Sequence, residues 1–278
     1  MTAPKISVIV PCYNQAQYLD QALQSVEAQS CSDWECIIVD DGSSDHIDEV
    51  AIKWTAKSPK FKYVKKTNGG LASARNFGIE NSTGTYIFPL DADDYVATDY
   101  FARAIEILDA QDDVEVLHCN VMQFGYIQKP LTLLPYHFET LLIKNCIIAC
   151  AFFRRETFLK AGGYSEALQI LEDWDLWLTI LQHGGKVHKI DAYLYYYRKH
   201  EQGSLVNSFE KDKKRHKEHL NIIYKNHVDL YLAHFGNPIK LYKELKVLRA
   251  FHKKSTSTVM YKIYKLPNRL KKLFKSKK

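Results

Sequence analysis

The chain has 278 residues, 46% of them hydrophobic and 13% aromatic, and 38 Lys/Arg against 32 Asp/Glu leave it at +6. That supports a sizeable globular core, one large α/β domain or two small ones, and the longest apolar run, CIIACAFF at 146–153, falls well short of the roughly 20 residues of a membrane span. The charge is uneven: residues 239–278 hold fourteen Lys/Arg against Glu244 alone, so +13 lies on the tail and −7 on residues 1–238.

The start, MTAPKISVIVPCYN, lacks the small-residue cleavage site of a secretory signal, so a cytoplasmic protein is expected. Its run KISVIVPCYN reads as a strand buried on both faces. Tyr18, Ala22, Leu23 and Val26 then recur at helical spacing, with Asn14 as the expected N-cap. The alternation continues through WECIIVDDGSSD (strand and turn), IDEVAIKWTAK (helix), FKYVKKT (strand), GLASARNFGIENS (helix) and GTYIFPLDADD (strand). Repeated βα units predict right-handed crossovers and a mainly parallel sheet covered on both faces. From about residue 115 the pattern loosens. VEVLHCNVMQFGY and KVHKIDAYLYYYRKH read as strands, and LEDWDLWLTILQHGG as an amphipathic helix ended by Gly184 and Gly185. Residues 209–278 read as helices broken at Pro238 and Pro267. The six cysteines form no C-x-x-C pair and read as core thiols.

Ligands of such sheets sit at the carboxyl ends of the strands, and polar clusters stand there: Tyr13–Asn14, Asp40–Asp41, Asn68–Gly69–Gly70 and Asp91–Asp93–Asp94. The last group is the most demanding. Three carboxylates in four positions repel one another and raise each other's pKa unless a cation or donors offset them. A divalent metal completed by substrate phosphate oxygens would do so; a solvated acidic turn with Asp94 capping a helix is the plain alternative. In LEDWDLWL, Glu172, Asp173 and Asp175 fall in a first helical turn, whose dipole favours ionised acids, while Trp174, Leu176 and Trp177 read as core.

Taken together, SVIVPCYNQAQYLDQALQSVEAQ, ECIIVDDGSSD, NGGLASARNFGIENSTGTYIFPLDADD and EDWDLWL resemble, in order and spacing, the motif series of family 2 glycosyltransferases over about residues 4–205. The resemblance implies an α/β GT-A fold and inverting transfer of a sugar from a nucleotide-sugar, usually UDP-linked, to an acceptor hydroxyl. It further implies that Pro11 and Tyr13 line the base pocket and that Asp41 hydrogen-bonds the base. Asn68, Gly70 and Arg75 border the nucleotide, and Asp91 touches ribose or donor sugar. Asp93 ligates Mn²⁺ or Mg²⁺, with His200 in the closing segment YRKHEQGSL as a candidate further ligand or else a lone surface histidine. By the same resemblance Asp173 would be the base, and Glu172 would contact the acceptor. No Q-x-x-R-W segment of the processive synthases is present, which favours one sugar per encounter.

The expected organisation is a nucleotide-sugar-binding half at 1–115, an acceptor and catalytic-base half of the same domain at 116–208, and a helical basic extension at 209–278. The extension interleaves Lys and Arg with Leu, Tyr and Phe, the composition of an interfacial segment. It points to an anionic membrane surface carrying lipid-linked acceptors, hence a peripheral place at the membrane's inner face, and not to nucleic acid, for which no module is present. Two other readings stand beside transfer: a phosphohydrolase with an aspartate nucleophile in PLDADD, and a nucleotide-sugar-binding module without turnover.

Overall fold

The computed structural model describes residues 3–201 and 212–257. Residues 202–205 of the closing segment, Pro267 and the last third of the basic extension lie outside the described residues. Strand β1 (Ile6–Cys12) is buried at all seven positions, as is β2 (Trp34–Asp40). Such runs need no polar face because helices cover both sides. Helix α1 (Ala16–Glu27) buries Leu19, Ala22, Leu23 and Val26; α2 (Ile47–Lys57), β3 (Phe61–Lys65) and α3 (Leu71–Glu80) follow. Helix α3 lies close on the sheet because Gly78 presents no side chain: a Cβ there would come within 2.5 Å of Ile9 Cγ2.

Strand β4 (Tyr86–Pro89) runs into the acidic loop, and β5 (Tyr95–Val96), α4 (Tyr100–Ala110), β6 (Val114–Gly125) and β7 (Lys129–Leu131) follow. The irregular stretch resolves into α5 (Phe138–Ile143), β8 (Phe152–Arg154), α6 (Arg155–Ala161), α7 (Glu172–Leu181) and β9 (Lys186–Lys199). The sheet order is β3-β2-β1-β4-β8-β6-β9-β5, with β7 on β6. The first four strands are parallel, as expected, and β6 and β9 pair in parallel. The remaining pairings are antiparallel and short, so the sheet is mainly parallel, as expected, with a mixed second half. No βα repeat spaces these later strands, and β6 and β7 are joined by a short turn that only an antiparallel pair allows.

Two expectations for the helices are corrected. Asn14 does not cap α1: it sits at φ 54°, Gln15 is the N-cap, and Asp45 Oδ2 accepts from the Ala16 N–H at 2.9 Å. Helix α7 is not amphipathic, since nine of its ten residues are buried: α5 and α6 pack against it, and Phe153 of β8 meets its Trp177. The chain divides into two compact units, one running to His227 and a second from Val228 to Lys278. Helix α8 (Lys213–Asn226) belongs to the first because the Asn226 amide and the His227 ring reach Asp175 of α7 at 2.9 and 3.0 Å. The second unit contains α9 (Val228–Phe235) and α10 (Pro238–Ser257).

Candidate active site

At the carboxyl end of β1, Pro11 is buried while Tyr13 is 53% exposed. The left-handed turn at Asn14 aims its side chain at the next βα loop: Oδ1 accepts from the Ser44 N–H at 2.9 Å, and the Asn14 N–H donates to Ser43 Oγ at 3.1 Å. Asp41, one residue past β2, organises the loop after β3. Its Oδ1 accepts from the Gly69 N–H and Lys66 Nζ, both at 2.9 Å, and its Oδ2 from the Gly70 N–H at 2.8 Å. Its main-chain carbonyl takes the Asn68 amide at 2.9 Å. About four lone-pair sites are available on a carboxylate, so one on Oδ2 is left for a further donor. Gly70 has φ 87° and ψ 173°, backbone that only glycine adopts readily. Of the residues expected on the nucleotide side, the structure joins Asp41, Asn68 and Gly70 directly.

The crowded carboxylates of the loop after β4 each have their own partner. Asp91 Oδ1 pairs with Arg75 Nη2 at 2.8 Å. Asp93 Oδ2 lies 2.7 Å from His200 Nε2, and the Asp93 carbonyl accepts from Arg198 Nε at 2.8 Å. Asp94, 1% exposed, accepts from the Tyr195 hydroxyl at 2.5 Å and the Arg198 N–H at 2.7 Å; it neither caps a helix nor faces solvent. Burial, then the field of Asp91, pushes the Asp93 carboxyl up, and His200 offsets part of this. Burial, then Asp93 and Asp91, pushes Asp94 well above the usual range.

Arg75 joins the two halves of the site. It is 1% exposed, and while Nη2 holds Asp91, Nη1 reaches Glu172 Oε1 at 2.5 Å; the Tyr164 ring lies 5.6 Å from the guanidinium carbon. Arg75 was expected to border the nucleotide and Glu172 to touch the acceptor. In this structure their first partners are carboxylate and guanidinium, and Arg75 meets the donor side through Asp91. Burial raises Glu172 to about 7, with Arg75 lowering it and Asp173 raising it.

Asp173 sits in the first turn of α7, after Leu171 in a left-handed conformation at φ 65°. Burial raises its carboxyl, and Arg75 and then an amide of Asn145 draw it back. A buried carboxylate raised toward the working pH is suited to take a proton. Asn145, Tyr195 and Arg198 are contacts that sequence reasoning did not find. Asn145 lies in a stretch without periodicity and Tyr195 and Arg198 in an expected strand, but isolated Asn, Tyr and Arg residues carry no spacing signal.

Among the described residues no three His, Cys, Asp or Glu side chains converge as a ready-made metal cluster. The donor chemistry of Asp93 and His200 nevertheless fits a divalent ion. A carboxylate suits Mg²⁺ and Mn²⁺ and an imidazole favours a transition metal, so Mn²⁺ matches both. An ion held there would supply positive charge against a leaving diphosphate.

The family model described as glycosyl transferase family 2 matches residues 7–161, more than half of the chain. The uncharacterized glycosyltransferase EpsJ of Bacillus subtilis is 28% identical over 251 residues, covering 84% of this chain and 71% of EpsJ. Other relatives are much longer: the chain spans 38% of an uncharacterized glycosyltransferase of Rickettsia felis, at 31% identity. Among solved structures, TarS 1–349 of S. aureus in complex with UDP-GlcNAc superposes with a TM-score of 0.64 at 22% identity, covering 73% of this chain and 61% of that one. The mannosyltransferase PcManGT of Pyrobaculum calidifontis, in complex with GDP-Man and Mn²⁺, gives 0.57 at 19% identity, covering 95% and 84%. At these identities the structural likeness concerns the fold.

Proposed function

The chain belongs to glycosyl transferase family 2 and has its α/β GT-A fold, and from that premise we propose that it transfers one hexose-type sugar from a UDP-sugar, with inversion. The acceptor is a hydroxyl of a glycan or lipid-linked saccharide in surface polysaccharide synthesis. The observation that carries the proposal is the chain Asp91–Arg75–Glu172, which fixes a carboxylate-bearing helix start beside the loop where the nucleotide-sugar would lie. Asp173 takes the hydroxyl proton as the acceptor oxygen bonds to the anomeric carbon. The bond from that carbon to the diphosphate breaks, and its electron pair leaves with the nucleotide. The rim of Tyr13, Asp41, Asn68 and Gly70 receives the nucleotide, and Asp93 with His200 holds Mn²⁺.

The Mn²⁺ complex of PcManGT and the UDP-GlcNAc complex of TarS support the metal and the donor class by analogy of fold. No helix among the described residues is long and apolar enough to cross a membrane. In the second unit, α10 exposes Leu241, Leu245, Leu248 and Phe251 along with Lys240, Lys243, Lys246 and Arg249, which suits an anionic leaflet bearing lipid-linked acceptors. Calorimetric titration with UDP, dTDP, GDP and CDP, with and without Mn²⁺, tests the central reading. UDP should bind in the micromolar range and gain affinity with Mn²⁺, and Asp93→Ala should abolish that gain. Failure of all four diphosphates to bind would overturn the proposal.

A further inference from the structure

Asn145 lies two residues beyond α5, in a stretch with neither strand nor helix, yet its amide is held at both ends. Nδ2 donates to Asp173 Oδ2 at 2.8 Å, and Oδ1 accepts from the Ile147 N–H at 3.2 Å. The second bond fixes which end of the amide is the donor, because a backbone N–H needs an acceptor opposite it. Helix α5, just before this stretch, is tied to α7 as well, by the Trp174 indole N–H donating to the Leu141 carbonyl at 2.6 Å. The charges of Glu172 on its own helix and Arg75 on α3 act together with Asp173, whose field also reaches Tyr164, a buried phenol with no hydroxyl partner.

We propose that Asn145 is a positioning residue for the base: it holds one oxygen of Asp173, so that the other is presented to the acceptor hydroxyl. This rests on the reading of Asp173 as the base. A neutral amide suits the task. It donates to the ionised form without adding charge to a group in which the single cation Arg75 already faces three acids, Asp91, Glu172 and Asp173, and its second bond to the main chain removes the rotational freedom a serine would keep. Because a hydrogen bond to the charged form favours that form, Asn145 also counters the upward push of burial on Asp173. The ionised form is thus favoured without exposing the carboxylate to water.

The test reads Asp173 directly in the full-length protein. Carboxyl-carbon NMR of aspartate-labelled enzyme is followed against pH, the Asp173 signal being identified by its loss in Asp173→Asn. The titration midpoint should climb in the order wild type, Asn145→Ser, Asn145→Ala, Asn145→Asp, with the alanine variant about half a pH unit or more above wild type. Equal midpoints in all four proteins would overturn the proposal. So would a fall toward the ordinary carboxylate value, which is what loosened packing and exposure of Asp173 would give. Should the alanine variant fail to fold, serine and aspartate still bracket the effect. The base role is tested apart, by transfer in Asp173→Asn. If transfer survives there while the midpoint follows residue 145, the contact stands and the base assignment falls.

Discussion

Replacing Arg75 by methionine, which keeps the length of the stem and removes the guanidinium, leaves two carboxylates without their cation. Breaking a buried ion pair from one side costs about 3–5 kcal/mol. The Asp91 side chain is 29% exposed, so water recovers part of its loss, and most of the cost falls on Glu172, whose side chain is 5% exposed. Glu172 can escape by taking a proton. With Arg75 present its carboxyl is already raised to about 7, and without it the value goes higher. Near pH 6 the variant is therefore neutralised at this site, whereas near pH 8 it must either stay charged or bind a scarce proton. Destabilisation of about 3 kcal/mol is expected at pH 8, and about 1 kcal/mol less at pH 6. Urea unfolding followed by tryptophan fluorescence suits the measurement, because Trp34, Trp54, Trp174 and Trp177 are all buried in the first unit. The double variant Arg75→Met/Glu172→Gln should recover a good part of the loss. A loss below about 1 kcal/mol, the same at both pH values and unrelieved in the double variant, would refute the view that Arg75 is held by charge.

Glu172→Gln alone should flatten the pH dependence of stability. The folded pKa of Glu172 lies above its ordinary value of 4.5, so its contribution is complete below about 4.5 and is lost as pH rises through about 7. Thermal melts of wild type across that window should fall more steeply than those of the variant. Asp173→Asn should keep donor binding by calorimetry while transfer falls by roughly 10²–10⁴-fold; near-normal turnover would remove Asp173 from the base role. Gly70→Ala should cost about 1–3 kcal/mol of stability and weaken UDP binding, although nothing lies within 4 Å of the added Cβ, because the strain is in the backbone at φ 87°. Reversing Lys240, Lys243, Lys246 and Arg249 to Glu in the full chain should lower co-sedimentation with anionic vesicles by roughly a thousandfold in affinity, at about 1 kcal/mol per basic residue. Unchanged binding would dismiss the membrane role of α10.

Much of the site was readable where chemistry and regular structure coincide. The four polar clusters could be placed at strand ends because a βα unit shows both its period and its stop, and Tyr13, Asp41, Asn68 and Asp91 follow strands that were expected from the same residues. Asp173 was likewise found at a helix start. The partners were not readable. Sequence suggested that a metal would relieve the repulsion among Asp91, Asp93 and Asp94; it did not show the four distant residues that meet them: Arg75 from α3, His200 just past β9, and Tyr195 and Arg198 within β9.

The order of strands and helices through residue 90, the burial of β1 and β2, the split of charge between body and tail, and the family itself follow from the sequence alone, since local propensity and hydrophobic period act over a few neighbouring residues. The mixed second half of the sheet, the continuation of the first unit through α8, the Asp91–Arg75–Glu172 chain and the grip of Asn145 on Asp173 were decided only by the tertiary structure. Each depends on side chains tens of residues apart meeting in a buried space, where a charge without a partner is too costly to keep and where no period along the chain records which partner it will find.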